Sequence, residues 1–134
     1  MKKICIVTST YNLQITNKLR INAKKALKRF KKISVTDFDV PGAFEIPVMI
    51  SKLANRYDGF IAIGCVIKGQ TKNFDLISHA ITNGIMHLSI AKKKPIGNAI
   101  LTCFNQGQAK NRFDRGAEAA EAVISVLENG SKKK

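Results

Sequence analysis

The chain has 134 residues, of which 45% are hydrophobic, and its formal net charge is +14 at pH 7. That length predicts one domain, residues 1–134, and a domain of this size buries roughly two-thirds of its unfolded surface. No apolar stretch approaches the ~20 residues that a transmembrane helix needs, and the first residues do not have the pattern of a secretory signal. We therefore expect a soluble, cytoplasmic protein.

The positive charge is carried mostly by lysines, which cluster at residues 24–32, 92–94 and 132–134. With Phe30 as their one aromatic, these clusters lack the interleaved rings typical of nucleic-acid binding. We expect solvated helix faces and a disordered basic tail at about residues 131–134, with no nucleic-acid or membrane partner. An anionic macromolecule remains an alternative, and so does long-range attraction of a small phosphorylated substrate.

The first half of the chain alternates strand and helix patterns. A buried strand is predicted at residues 3–9 and a helix at about residues 16–31. The apolar stripe of that helix comprises Ile15, Leu19, Ala23, Ala26 and Phe30. Residues 33–40 alternate with period two and predict a second strand, which the Pro-Gly pair at 41–42 ends. A short helix is predicted at residues 45–56.

The second half continues the alternation. Residues 59–66 are wholly apolar and predict a third strand that is buried on both faces. A long helix is predicted at about residues 75–91, and a fourth strand at residues 96–102. The apolar face of the long helix comprises Ile77, Ile81, Ile85 and Leu88. Two helical segments complete the chain, a short one at residues 106–113 and a longer one at residues 116–129 that Gly130 ends.

This alternation predicts an α/β fold, a three-layer αβα sandwich with a four-stranded parallel sheet of the flavodoxin-like kind. In such sheets the ligand lies beyond the carboxyl ends of the strands. The expected site therefore involves the four strand exits, which are residues 9–12, 40–45, 65–71 and 102–105.

The third exit has the composition of an anion cradle. Gly69 lets the backbone approach an anion closely, and the amides of Gln70 and Thr71 present positive dipoles. The Thr71 hydroxyl and the N-terminus of the following helix add to them. A turn without a ligand is an equally good interpretation.

The first two exits carry groups that suit a flat polar ring. Tyr11 and Phe44 offer aromatic faces, and Glu45 offers a carboxylate beside them. Two alternatives stay open, because Glu45 suits a helix N-terminus and Asn12 suits an N-cap.

The sequence lacks the residue patterns of several other common types of functional site. Cys5, Cys65 and Cys103 lie in apolar runs without a C-x-x-C spacing, which predicts reduced core thiols. His79 and His87 have no further ligands at metal-binding spacing, so we expect surface or packing roles and no metal. Nucleotide-binding loops and a G-x-S-x-G turn are absent. The residues alone predict an α/β domain without metal or cofactor that binds a flat polar ring and a phosphate.

Four motifs, covering most of the chain from Ile4 to about Glu128, resemble the lumazine synthase family. They are "VPGAFEIP" at 40–47, "GCVIKGQTKNFD" at 64–75, "GNAILT" at 97–102 and "GAEAAEAV" at 116–123. The resemblance implies a transferase of riboflavin biosynthesis that condenses 5-amino-6-ribitylaminouracil with 3,4-dihydroxy-2-butanone 4-phosphate. The product is 6,7-dimethyl-8-ribityllumazine, and phosphate and water are released. It also implies a homo-oligomer, a pentamer with sites between subunits.

The resemblance further implies two sets of binding residues. The substrate-binding set is Tyr11, Asn12, Ala43, Phe44, Glu45, Cys65, Val66, Ile67, Asn98 and Arg115. The phosphate-binding set is Gly69, Gln70, Thr71 and Arg112. Tyr11 would stack on the pyrimidine, Glu45 would accept from ribityl hydroxyls, and Arg112 would clamp the phosphate from a neighbouring subunit. The backbone of residues 65–67 would read the ring edge.

The chain departs from the family pattern in places. Asn73 stands where the family usually has a catalytic histidine, and an asparagine does not exchange a proton near neutral pH. Lys72, bound water and the substrate's phosphate are the remaining proton carriers. Either the enzyme is slowed, or catalysis is lost and a flavin- or lumazine-binding protein remains. Asn98 stands where many members have an aromatic residue. Arg115 stands where the family usually has a lysine. A short segment between Arg112 and Gly116 and the lack of an N-terminal extension favour a pentamer over a sixty-subunit shell.

Overall fold

The computed structural model describes residues 1–131 of the chain. The predicted basic tail lies mostly outside them, at residues 132–134. Ser131, its first residue, belongs to the last helix instead of to a tail.

The order of elements follows the prediction. Within the described residues the elements are β1 (Lys2–Ser9), α1 (Leu13–Leu27), β2 (Ile33–Val40), a 3₁₀ turn (Ala43–Glu45), α2 (Ile46–Leu53), β3 (Gly59–Ile67), α3 (Phe74–Lys92), β4 (Ile96–Cys103), α4 (Gln106–Lys110) and α5 (Arg115–Ser131).

The described strands form one sheet in the order β2-β1-β3-β4, and every pair is parallel. The chain runs outward from β1 to β2, then crosses back to place β3 on the other side of β1. The direction of winding therefore reverses between β1 and β3, and parallel sheets bind their ligands at such a switch point. The predicted four-stranded parallel sheet is confirmed.

Helices cover both faces of the sheet because successive side chains of a strand point to opposite faces. Ile4 and Ile6 of β1 belong to the core that α1 and α5 complete. Cys5 and Val7 belong to the core that α2 and α3 complete. The three layers are confirmed. None of the helices in residues 1–131 has the length and apolar character that a bilayer crossing requires.

The helix boundaries differ more from prediction than the strand boundaries. α1 begins three residues earlier than predicted, directly after Asn12, and ends at Leu27, where residues 28–29 leave the helix as a turn. Residues 54–56 likewise leave α2 as a turn. The prediction that Gly130 ends the last helix is wrong, since α5 continues through it to Ser131. A glycine costs a helix interior about 1 kcal/mol and does not by itself terminate it.

Candidate active site

A cleft of about 460 Å³ opens at the carboxyl edge of the sheet, at the switch point between β1 and β3. Three of the four predicted exits meet there, and residues 102–105 are not part of its lining. The lining residues are Tyr11, Pro41, Gly42, Ala43, Phe44, Glu45, Cys65, Val66, Ile67, Gln70, Thr71 and Ile77.

Backbone hydrogen bonds join the exits of β1 and β2. The N–H of Thr10 donates to the carbonyl of Val40 at 2.8 Å, and the N–H of Tyr11 donates to that of Pro41 at 2.9 Å. The rings of Tyr11 and Phe44 both line the cleft and are 53% and 63% exposed. Two aromatic faces are therefore open to a planar ligand.

The 3₁₀ turn lies close against β3 because Gly64 has no side chain. A Cβ atom at Gly64 would stand 3.2 Å from the Cβ of Ala43 and 3.2 Å from Cδ1 of Ile46. That is tighter than almost all natural contacts, so a larger residue would push the turn outward. Gly64 thus sets the position of Phe44 and Glu45 above the end of the strand.

Glu45 has the helix-terminal role that the sequence left open. Its Oε1 atom accepts a hydrogen bond from the N–H of Gly42 at 2.9 Å, just ahead of α2. The bond holds the carboxylate at the cleft and leaves Oε2 available for a ligand. The structural role and the proposed binding role are therefore compatible.

The turn after β3 differs from the expected cradle in one respect. Gly69 adopts φ +94°, a conformation that favours glycine. The N–H of Gln70, however, donates to the carbonyl of Ile67 at 3.1 Å and is used within the turn. Gln70 can therefore offer an anion its side-chain amide, and its backbone amide is engaged.

Thr71 lines the cleft with a side chain whose hydroxyl is unpartnered, as are four other buried side-chain atoms of the described residues. Its Oγ1 atom is buried and has no hydrogen-bond partner among the described residues. Burying a hydroxyl without a partner costs about 1–3 kcal/mol, so folded proteins rarely retain such a group without a reason. Because Thr71 lines the cleft, a rotation about its χ1 bond would turn the hydroxyl toward an anion there.

Asn12 lies at the N-cap position of α1 in the left-handed conformation (φ 61°, ψ 45°), but its side chain does not cap the helix. Instead, its Nδ2 atom donates to the carbonyl of Cys65 at 3.2 Å and to Oε1 of Gln70 at 3.0 Å. Asn12 therefore spans the switch point and connects the exit of β1 to the exit of β3.

Lys72 and Asn73 lie in the loop that follows Thr71, and both are exposed. Asn73 precedes α3 in the left-handed conformation (φ 60°), and its side chain makes no cap hydrogen bond. Neither side chain is among those that line the cleft.

Three further predicted residues do not line the cleft of their own chain. Oδ1 of Asn98 accepts from the N–H of Ile100 at 3.0 Å on β4. Nη1 of Arg112 donates to Sγ of Cys103 at 3.8 Å, and Nε of Arg115 lies 3.6 Å from Oε1 of Glu118. The structure does not bring these three residues together with the other predicted binding residues.

The three thiols are unpaired and buried, as predicted. Burial raises the pKa of Cys65 to about 12, and the nearby Cys103 adds to the shift. Burial also raises the pKa of Cys103, against the lowering effect of the Arg112 charge. Protonated thiols are poor nucleophiles, so they do not supply the chemistry of the site.

The two histidines are exposed on α3, in agreement with a surface role. Within residues 1–131, no three histidine, cysteine or carboxylate side chains form a group suited to a metal ion.

Sequence reasoning missed two features of this region. Ile77 lines the cleft, and its place on the apolar stripe of α3 was the available signal. A second cluster lies at the exit of β4, where the Phe74 and Phe104 ring centroids are 6.2 Å apart and Nζ of Lys68 is 5.4 Å from the Phe104 centroid. An aromatic residue directly after a strand was its signal.

Residues 1–130 match the family model described as 6,7-dimethyl-8-ribityllumazine synthase. A protein of that name from Corynebacterium kroppenstedtii is 37% identical, over 94% of this chain and 83% of the relative. One from Lactiplantibacillus plantarum is 38% identical over the same shares. These matches agree with the resemblance that the four motifs carry.

One solved structure resembles the fold. It is a fragment described as a lipoprotein from Peptoclostridium difficile 630, with a TM-score of 0.55 and 13% identity. The superposition covers 95% of this chain and 99% of the other. At that identity the likeness concerns the fold alone.

Proposed function

The chain belongs to the 6,7-dimethyl-8-ribityllumazine synthase family, and we propose that the cleft at the switch point is where it condenses its two substrates. These are 5-amino-6-ribitylaminouracil and 3,4-dihydroxy-2-butanone 4-phosphate. The products are 6,7-dimethyl-8-ribityllumazine, phosphate and two waters, so the chain is a transferase of riboflavin biosynthesis. The observation that carries the placement is the cleft itself, which is lined by two exposed aromatic side chains, the Glu45 carboxylate and the side chains of Gln70 and Thr71.

The uracil occupies the half of the cleft between the exits of β1 and β2. Tyr11 and Phe44 present their ring faces there, and apolar stacking suits a planar pyrimidine. The backbone of residues 65–67 forms the floor and offers polar groups to the ring edge. Oε2 of Glu45 is positioned to accept from the ribityl hydroxyls.

The phosphate occupies the half of the cleft next to the turn after β3. The side chains of Gln70 and Thr71 line this end, and the neighbouring Gly69, which is not part of the lining, gives the turn its left-handed backbone. α3, which has 19 residues, begins just beyond it with its N-terminus toward the turn. The partial positive charge of a helix N-terminus favours an anion there.

Catalysis at this site rests mainly on bringing an amine to a ketone. Holding two reactants in a productive geometry can lower a barrier by several kcal/mol without any proton transfer by the protein. The Asn73 carboxamide does not act as an acid or a base near neutral pH, so Lys72, water or the phosphate itself carries the protons that the condensation moves. General acid–base help is typically worth ~10²–10⁴-fold, so its loss slows the reaction and does not abolish it.

We also propose that the site is completed by a second copy of the chain in a homo-oligomer, most simply a pentamer. The support is that Asn98, Arg112 and Arg115 are not among the residues that line the cleft of their own chain. An apolar groove of about 350 Å³ lies between α3, β4 and α5, with Ile90 and Val126 67% and 55% exposed. Sedimentation measures the assembly.

The unpaired thiols suit a reducing compartment, so we expect the cytoplasm.

The proposed function is tested by mixing the purified protein with both substrates and following the absorbance and fluorescence of the lumazine. We expect formation well above the uncatalysed rate, and a large loss in Phe44→Ala. Val48→Ala is the matched control, because Val48 is similarly exposed, at 59%, but does not line the cleft. Lumazine binding without any increase in rate would contradict the proposal and leave a flavin- or lumazine-binding protein.

A further inference from the structure

Gln70 faces the phosphate end of the cleft with a side chain that has two different ends. The carboxamide nitrogen donates hydrogen bonds and suits an anion, whereas the oxygen accepts them and repels one. Gln70 is exposed, so its own surroundings do not fix which end faces the ligand. Because its backbone N–H is used by Ile67, the side-chain nitrogen is the donor that Gln70 has to offer.

Asn12 lies on the opposite side of the switch point and determines which end of the Gln70 carboxamide faces the ligand. Its Nδ2 atom carries two hydrogens, and the recorded partners of Nδ2 are the Cys65 carbonyl at 3.2 Å and Oε1 of Gln70 at 3.0 Å. The first bond anchors the Asn12 amide to the β3 backbone. The second engages the Gln70 oxygen, so the Gln70 nitrogen is turned away from Asn12.

The local backbone explains why Asn12 is free for this role. The N–H groups of Ile15 and Thr16 are satisfied by the main-chain carbonyl of Asn12, at 2.9 Å and 3.1 Å. The side chain is therefore not needed as a cap. The left-handed conformation of Asn12 directs the chain into α1, and asparagine tolerates that conformation better than most residues.

We propose that Asn12 is a positioning residue, which holds the Gln70 carboxamide with its nitrogen toward the phosphate subsite and so sets the affinity of the cleft for the phosphorylated substrate. This role rests on the proposed function of the cleft. Asn12 follows Tyr11 at the uracil end of the cleft, yet in this role it determines how tightly phosphate binds at the other end.

The test is a double-mutant cycle read out by the dissociation constant of inorganic phosphate, measured by titration calorimetry. The variants are Asn12→Gly, Gln70→Ala and the double variant. Glycine removes the amide of Asn12 but keeps the left-handed backbone, so the β1–α1 turn is retained. Thermal melting checks that each variant is folded.

We expect each single variant to weaken phosphate binding about 5-fold, and the double variant to be no weaker than Gln70→Ala alone. In steady-state assays, the effect of Gln70→Ala should appear in the KM of the butanone phosphate and not in kcat. Asn12→Asp should weaken phosphate more in the parent chain than in the Gln70→Ala chain, because a carboxylate cannot donate to Oε1.

Independent effects, with the double variant weaker by the product of the two single losses, would overturn the positioning role while leaving the proposed cleft intact. If inorganic phosphate does not compete with the butanone phosphate in the unmodified chain, the proposed cleft itself fails. The two failures are therefore distinguishable.

Discussion

At the scale of single residues, folding and binding make opposite demands on Thr71. Its buried hydroxyl has no partner among the described residues, whereas the hydroxyl of Thr16, also buried, donates to the carbonyl of Ser9 at 2.8 Å. The sequence placed Thr71 in a turn and named it a phosphate ligand. It did not reveal that the hydroxyl is buried without a partner among the described residues.

Replacing Thr71 with valine should separate these demands. Thr71→Val removes the orphaned hydroxyl at nearly constant volume, so the free energy of unfolding should stay the same or rise by up to about 1 kcal/mol. Inorganic phosphate should bind about 10-fold more weakly, because a hydrogen bond to a charged group is lost. The measurements are urea unfolding and calorimetric titration.

Thr16→Val is the matched control. Since its hydroxyl is paired, we expect a loss of about 1 kcal/mol in the free energy of unfolding and unchanged phosphate affinity. Destabilisation by Thr71→Val with unchanged phosphate binding would contradict the role assigned to the hydroxyl.

Asn73 is the second residue whose change is informative. Asn73→His should raise kcat on the order of 10²-fold, since it introduces a group that exchanges protons near neutral pH. The backbone at φ 60° accepts histidine, which is enriched in this conformation. Asn73→Gly keeps the conformation without a proton carrier and should leave kcat unchanged. Equal rates in all three proteins would show that proton transfer does not limit turnover.

Cys5 makes the stability of the chain sensitive to alkaline pH. Burial, with a smaller contribution from Asp37 that Arg56 opposes, raises the pKa of the Cys5 thiol from 9.0 to about 12. Between these values the folded chain keeps a proton that the unfolded chain loses, so stability is complete below pH 9 and falls as the pH rises.

Cys5→Ala should remove this dependence. From pH 8 to pH 10.5, we expect the parent chain to lose roughly 2 kcal/mol more unfolding free energy than the variant, at about 1.4 kcal/mol per unit. Denaturant titrations at the two pH values measure the difference. Parallel losses in the two proteins would refute the assignment, because the lysines titrate in both.

At the scale of elements, strands were easier to predict than helix ends. The second strand, which alternates with period two, was predicted with its observed limits. β1, an apolar run that is buried, begins one residue before the prediction. α1 was misplaced by three or four residues at each end. Its lysine-rich C-terminal segment continues the helical pattern after the helix has ended, so composition alone could not locate Leu27 as the last residue.

The packing of α1 against α5 could not be predicted from the hydrophobic pattern of the sequence either. Gly116 reads as an ordinary small residue in the sequence, but a Cβ there would lie 2.1 Å from the carbonyl oxygen of Leu19. The two helices approach closely at this point. That contact helps to hold the layer that supports the β1 and β3 exits.

Gly116→Ala should therefore destabilise the fold by about 3 kcal/mol, the upper end of what overpacking usually costs. Gly84→Ala is the control, because its nearest neighbour would be the Cβ of Pro47 at an ordinary 3.5 Å. That change should stabilise α3 by about 0.5–1 kcal/mol, since alanine suits a helix interior better than glycine. Chemical denaturation of both variants compares them directly, and a harmless Gly116→Ala would contradict the close approach.

At the scale of the whole molecule, the positive charge suits the phosphorylated substrate that we propose for the cleft. The sequence holds 23 basic and 9 acidic residues, so pairing cannot neutralise the basic excess. The recorded pairs, such as Lys24 with Asp37 and Arg29 with Glu121, leave most cations in solvent. A positive surface attracts a phosphorylated substrate over a distance of about one Debye length.

The candidate site could be predicted from the sequence only in part. The sequence and the rule for parallel sheets predicted the meeting of the β1, β2 and β3 exits. Side-chain directions were not predictable, and so the Asn12–Gln70 bond and the engagement of the Gln70 N–H came from the structure. Arg112 was named through the family resemblance, and in its own chain it contacts Cys103.

The most direct measurement is a crystal structure of the protein with ribitylaminouracil and inorganic phosphate bound together. The account predicts the pyrimidine against Tyr11 and Phe44, the phosphate within hydrogen-bond distance of the Thr71 hydroxyl and the Gln70 side-chain nitrogen, and Arg112 of a neighbouring subunit on the phosphate. Both ligands bound away from Phe44 and Thr71 would contradict it.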